Sequence, residues 1–235
     1  MSKIINSNNK IFIFIGSPGS GKGSLAKLCV KHFGWEHFAM GDVCRFHVVQ
    51  KTDYAKQMDF LLRAGKLIPD DLIVSMADSW LQDWVNRDSS LILDGYPRTL
   101  IQAKTLSKIL SELKVVEPVV VNFIVKDKTV VKRLSDGRLT CSNSKCGRIY
   151  SLAQGTSIRP KNDNFCDECN SSLVNRNDDA NVNVIRKRIK VYHENVIPIL
   201  EFYKKYGIRI LTLDVEKNLE DVFIDFKRVC FNDNN

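Results

Sequence analysis

Long hydrophobic runs are missing: no apolar stretch approaches the ~20 residues a helix needs to cross a bilayer, so no membrane-spanning helix is expected. The opening MSKIINSNNK has neither the apolar core of a secretory leader nor the arginine richness of a transit peptide, and the expected location is the cytoplasm. No segment repeats itself with a period of roughly 20 to 50 residues, which argues against a solenoid. A basic arm is missing too. Lys and Arg number 35 against 27 Asp and Glu, a formal net charge of +8, but the cations are spread along the whole chain. Such a surface favours anionic ligands without marking a dedicated nucleic-acid segment, so neither a nucleic-acid nor a membrane partner is expected.

With 235 residues, 44% hydrophobic and 26% charged, the sequence is that of a globular protein able to bury one large core carrying inserted subdomains. IFIFI (11–15) is a continuous run of β-favouring apolar residues, suited to a strand buried on both faces of a parallel sheet. Further strand candidates are HFAM (37–40), SLILD (90–94), VVVNFIV (119–125) and IRILTL (208–213). Helical patterns at 21–33, 69–87, 98–113, 181–205 and 216–230 alternate with them, which predicts an α/β fold with right-handed crossovers. Two segments exceed βαβ spacing: a helical pattern over 41–87 and a polar stretch over 137–180. Insertions of that length are usually functional lids.

GSPGSGKGS (16–24) fits a phosphate-binding loop between a strand and a helix, with the hydroxyl one position later than the general G-x-x-x-x-G-K-[ST] pattern. Glycines let backbone N–H groups turn inward around phosphate oxygens, and the helix N-terminus adds positive potential. Lys22 is placed for the β- and γ-phosphates and Ser24 for Mg²⁺. Four of the seven cysteines fall between positions 141 and 169, as Cys141-x₄-Cys146 and Cys166-x₂-Cys169. That spacing can give one tetrahedral Zn²⁺ four thiolates and leave no open position; free thiols or a redox pair are the other readings. Cys29, Cys44 and Cys230 lie in amphipathic stretches and read as small core residues.

The spelling G-x-P-G-x-G-K-G-[ST] resembles that of the nucleoside monophosphate kinases, adenylate kinases above all. GDVCR (41–45), AGKLIPDDL (64–72) and LDGYPRTLIQA (93–103) resemble further motifs of that family in the family's order. The resemblance implies a P-loop NTPase-type five-stranded parallel sheet flanked by helices, with a core made of 1–39, 88–137 and 180–235. It also implies a helical monophosphate-binding insertion at 40–87 and, as in the long-form members, a zinc-stabilised lid at 138–179. The implied activity is reversible, Mg²⁺-dependent transfer of the γ-phosphoryl group of ATP to AMP by a monomer. GTP as donor, and a low-activity protein with a regulatory nucleotide site, stay open beside it.

The resemblance assigns the triphosphate to Gly16, Pro18, Gly19, Ser20, Gly21, Lys22, Gly23, Ser24, Arg133, Arg138 and Tyr150. It gives AMP to Met40, Arg45, Gly65, Lys66, Ile68, Gly95, Arg98, Gln102, Arg176 and Arg188, and the Mg²⁺ waters to Asp94. Lys22, Arg98, Arg133, Arg138, Arg176 and Arg188 are the expected catalytic cations, with Arg188 preferred over Arg186; Asp178 accompanies Arg176. Gln102 is expected to read the acceptor base by its amide. Two departures stand out. Met40 replaces a threonine that usually helps recognise adenine, and Leu139 stands where a second arginine often follows.

Overall fold

The computed structural model describes residues 10–52, 55–115, 118–143, 146–153, 156, 158–175, 179 and 181–231. In chain order the elements begin β1 (Ile11–Ile15), α1 (Lys22–Phe33), β2 (Glu36–Ala39), α2 (Met40–Val49), α3 (Ala55–Arg63), α4 (Asp70–Trp84), β3 (Leu91–Asp94) and α5 (Leu100–Glu112). They continue β4 (Val119–Ile124), α6 (Asp127–Ser135), β5 (Arg138–Cys141), β6 (Ile149–Ser151), β7 (Leu173–Asn175), α7 (Val182–Lys205), β8 (Ile210–Asp214) and α8 (Leu219–Phe231).

Five strands form one parallel sheet in the order β2-β3-β1-β4-β8. Alternation along β1 explains its composition. Ile11, Ile13 and Ile15 face a core shared with α4, α5 and α7, whereas Phe12 and Phe14 face the opposite core with α1 and α8. A strand covered on both sides needs apolar residues at every position. Phe14 and Ala39 both pair with Asp94, and Ile15 with Asn122, so β1, β2, β3 and β4 end close together at one edge. Ligands of open α/β sheets bind at that carboxyl edge, where the crossovers diverge.

The helical pattern over 41–87 resolves into α2, α3 and α4, broken at Gly65, whose φ is 65°, and at Pro69, which precedes α4. Met40 begins α2 instead of ending a strand. The nine-residue α6, absent from the sequence expectation, is mostly polar and buries Val130 and Leu134, four residues apart on one face. The polar segment beyond it folds as a three-stranded antiparallel sheet, β6-β5-β7, over a small cluster of Leu139, Cys141, Tyr150 and Cys166. Among the described residues no helix is long and apolar enough to cross a membrane.

Candidate active site

The loop from Gly16 to Gly21 turns at Gly19 and Gly21, with φ of 76° and 94°, values only glycine adopts without strain. Lys22 Nζ donates to the carbonyls of Gly16 (2.7 Å) and Ser17 (2.9 Å) and to Ser20 Oγ (3.2 Å), so the ammonium is held at the mouth of the loop. The displaced hydroxyl has a steric reason: a Cβ on Gly23 would lie 3.2 Å from Asp94 Oδ2 and 3.4 Å from Ile149 Cδ1. Glycine there lets the Asp94 carboxylate and the tip of β6 approach α1. Burial alone would push the Asp94 carboxyl up, but His37, with Nε2 3.4 Å away, together with Lys22 and Arg98 brings it down to about 2. Asp94 is therefore anionic across the working pH range.

Cations converge above this carboxylate. Burial pushes the Lys22 ammonium down to about 8; Asp94 opposes the shift, and Arg98, Arg138 and Arg188 add to it. Burial and the neighbouring Arg188 lower Arg98 as well. Arg98 Nε donates to the Gly95 carbonyl (2.9 Å), which aims the guanidinium back over the end of β3. Asp179 joins two arginines from opposite sides: Arg138 Nη2 lies 2.6 Å from its Oδ2 and Arg188 Nη1 2.6 Å from its Oδ1. Arg133 Nη2 donates to the Val215 carbonyl (2.8 Å), and Arg45 pairs with Asp42.

One cleft of about 520 Å³ brings these groups together. It takes in the loop residues Gly16, Pro18, Gly19, Ser20, Gly21, Gly23 and Ser24, the cations just described, and Gly65, Lys66, Gly95 and Tyr150. A smaller cavity beside it, sharing Lys66, Gly95 and Arg98, receives Met40, Ile68 and Gln102. Arg188 reaches the cleft, whereas Arg186 on the same helix is exposed and does not line it. Arg176 and Asp178 lie outside the described residues. The cleft's far wall is the turn from Val215 to Leu219 after β8, which sequence reasoning missed.

The adenylate kinase family model matches residues 14–208, most of this chain. Similar proteins include the adenylate kinase of Petrotoga mobilis, 38% identical over 210 residues covering 89% of this chain and 92% of that one. The adenylate kinase of Thermosipho africanus is 37% identical, covering 92% of this chain and 99% of its own, and that of Archaeoglobus fulgidus is 36% identical, covering 92% and 96%. The chain belongs to the adenylate kinase family.

Where this chain departs from the adenylate kinase pattern, the structure supplies the local setting. Met40 is buried in the main core and lines the smaller cavity with Cys44, Ile68 and Ile73, so its thioether adds to an apolar wall. Leu139 packs into the lid cluster. Tyr150 is fully buried there; its hydroxyl accepts from the Asp167 N–H (2.8 Å) and meets Cys166 Sγ at 3.3 Å, which fixes the ring as a post of the second knuckle. The sulfurs of Cys141, Cys146, Cys166 and Cys169 all lie within 4.8 Å of one another.

His37, Lys27 and Asp179 were not read from the sequence as site residues. His37 lies two residues from Ala39, at the end of β2, on the side of the strand that meets Asp94. Lys27, on α1, donates to the carbonyls of Cys146 (3.0 Å) and Gly147, fastening the first knuckle to the helix that begins at Lys22. Asp179 is the second carboxylate of the R-N-D-D segment, adjacent to the one singled out by resemblance.

Proposed function

We propose that this protein is a Mg²⁺-dependent adenylate kinase that moves the γ-phosphoryl group of ATP reversibly to AMP, giving two ADP. The convergence of Lys22, Arg98, Arg138 and Arg188 above Asp94, at the carboxyl edge of a parallel sheet, carries this reading. Phosphoryl transfer requires positive groups aimed at the moving phosphoryl and a site that excludes water. An AMP phosphate oxygen attacks the γ-phosphorus in line; the bond to the bridging oxygen breaks and its electron pair stays on the β-phosphate. No side-chain nucleophile takes part. The loop from Gly16 to Gly21 and Lys22 hold the donor phosphates, Arg98 with Arg45 clamps the acceptor phosphate, and Arg133, Arg138 and Arg188 meet the charge spreading between them. Ser24 and Asp94 are the residues that would hold Mg²⁺, which when bound would supply neutralisation of the phosphate charge.

We read 40–87 as the acceptor-binding insertion and 138–179 as a lid over the donor. Zinc fits the lid: thiolates ~2.3 Å from a tetrahedral ion lie about 3.8 Å from each other, and Cys141 and Cys169 Sγ are 3.4 Å apart, Cys146 and Cys166 Sγ 3.7 Å. We read the protein as a monomer that closes around its two nucleotides.

The test is a steady-state assay of ATP or GTP crossed against AMP, GMP, CMP and UMP, with and without Mg²⁺. Fast Mg²⁺-dependent diphosphate formation from ATP and AMP is the expected result. Faster turnover with GTP would identify a GTP:AMP phosphotransferase, and nucleotide binding without turnover would leave a regulatory site in a kinase fold.

Lys22 gives the donor site a pH signature. Its ammonium titrates near 8 in the free protein, and a bound triphosphate, placing negative charge beside it, raises that value. Binding at about pH 9 therefore takes up close to one proton, and binding at about pH 7, where Lys22 is already charged, takes up far less. Affinity correspondingly falls as pH rises through 8. Calorimetry in buffers of different ionisation enthalpy measures the uptake, and Lys22→Met should abolish it; equal uptake at both pH values would reject the assignment.

A further inference from the structure

The smaller cavity, of about 30 Å³ beside the cleft, is lined by the cations Arg98 and Lys66, by Gln102 and by the apolar side chains of Met40, Cys44, Ile68 and Ile73. Gln102 is 2% exposed, and its bonds leave it no rotational choice. Oε1 accepts from the Arg98 backbone N–H at 2.7 Å, and Nε2 donates to Asp70 Oδ1 at 2.7 Å. The same Asp70 oxygen accepts from Thr99 Oγ1 (3.0 Å), and Thr99 Oγ1 in turn accepts from the Gln102 N–H (3.1 Å) as the N-cap of α5. Every bond in this ring has a forced direction, because a peptide N–H only donates and a carboxylate only accepts.

We propose that Asp70 is a specificity-determining positioning residue, which with the Arg98 N–H locks the Gln102 amide against flipping and so sets the acceptor base to adenine over guanine. The inference rests on the reading of this cavity, together with the part of the cleft it adjoins at Lys66, Gly95 and Arg98, as the acceptor site. A primary amide has two N–H donors and two lone pairs, of which one each is used by the lock. One donor and one acceptor remain, in a fixed spatial order. At adenine's pairing edge the ring nitrogen N1 accepts and the exocyclic 6-amino group donates. At guanine's the polarity is reversed, N1–H donating and O6 accepting. A base held in the same pose by its phosphate on Arg98 matches the amide in one flip only. To serve guanine, Gln102 would have to turn Nε2 toward the Arg98 N–H and Oε1 toward the Asp70 carboxylate, losing two buried bonds and opposing like poles in both places.

Asp70 belongs to the first turn of α4 and Gln102 to the first turn of α5, so the lock forms only when the acceptor-side helix is docked on the loop that carries Arg98. Base selection and placement of that arginine thus depend on the same contacts.

The experiment compares kcat/KM for AMP and for GMP, at saturating ATP, in the unaltered enzyme and in Asp70→Asn, Thr99→Val and Gln102→Ala. The amide introduced by Asp70→Asn is isosteric with the carboxylate and can present either pole, so the AMP:GMP ratio is expected to fall about tenfold or more, the worth of one hydrogen bond to a charged group. The change should appear in KM for the two acceptors and leave KM for ATP in place. Thr99→Val, which loosens Asp70 without removing its charge, should shift the ratio in the same direction by less and covers the case of an unstable Asp70→Asn protein. Gln102→Ala separates the two levels. If it leaves KM for AMP unchanged, the cavity does not read the base through Gln102 and the acceptor-site reading of that residue falls. If it abolishes the preference while Asp70→Asn and Thr99→Val keep the full AMP:GMP ratio, the lock is overturned and the base-reading role stands. Equal losses for AMP and GMP in the Asp70 variant would reduce Asp70 to a structural support and also overturn the proposal.

Discussion

Arg98→Met is expected to lower kcat/KM for ATP and AMP by about a hundred- to a thousandfold while leaving the melting temperature unchanged or raised. The rate loss follows from removing a guanidinium aimed at charge that develops on the transferring phosphoryl, a donor whose worth is greatest where water is excluded. The stability effect follows from where that guanidinium stands. Burial lowers Arg98, and Arg188 adds to the strain more than any other charge, so the folded protein carries this cation at a cost in the absence of phosphate. Methionine keeps much of the length and removes the repulsion. Arg98→Lys should recover only part of the rate, because a point charge cannot offer the paired donors that match phosphate oxygens. Steady-state rates with thermal denaturation decide it: a Tm falling in step with activity would show that Arg98 is chiefly structural, and near-normal turnover would remove it from the transfer step.

The parts of this protein that were legible in its sequence are those that local chemistry spells out. Gly19 and Gly21 had to be glycine for the chain to turn, IFIFI had to be apolar at each position for both faces of β1 to be covered, and Asp94 and Arg98 were marked by their places at the end of a strand and just beyond it. Tertiary contacts were hidden. Lys27 meets carbonyls about 120 positions away, and nothing around it in α1 distinguishes it from a solvated lysine. Asp179 could not be chosen over its neighbour because two adjacent carboxylates precede α7 in the sequence, and nothing local tells which of them meets Arg138 and Arg188. Gln102 was legible as a candidate site residue, but not its hydrogen bond to Asp70, which comes from a different helix. The strands of the lid escaped notice because three or four residues are too few to display a period of two.

The lid also carries the second large expected effect, which is loss of its structure on removal of metal. Its buried cluster is Leu139, Cys141, Tyr150 and Cys166, so two of its four members are themselves candidate zinc ligands, and Tyr150 is held by its bonds to Cys166 and to Asp167 next to it. A core that small cannot offset the entropy of ordering the segment. Structural zinc contributes about 10 to 16 kcal/mol in small peptide sites, more than enough to make folding of the lid conditional on the metal. Chelation is therefore expected to remove amide-exchange protection from 138–175 and to leave the five-stranded sheet protected. Catalysis should fall with it, by tenfold or more, because Arg138 opens the strand that ends at Cys141, and Lys27 grips the carbonyls of Cys146 and Gly147 only while that knuckle is formed. Added Zn²⁺ should restore both. Cys166→Ser should reproduce the chelated state more fully than Cys169→Ser, since Cys166 is buried against Tyr150 and Cys169 is exposed. Protein purified without chelator that holds no zinc, or lid protection unchanged after chelation, would mean that the four thiols stand together for another reason.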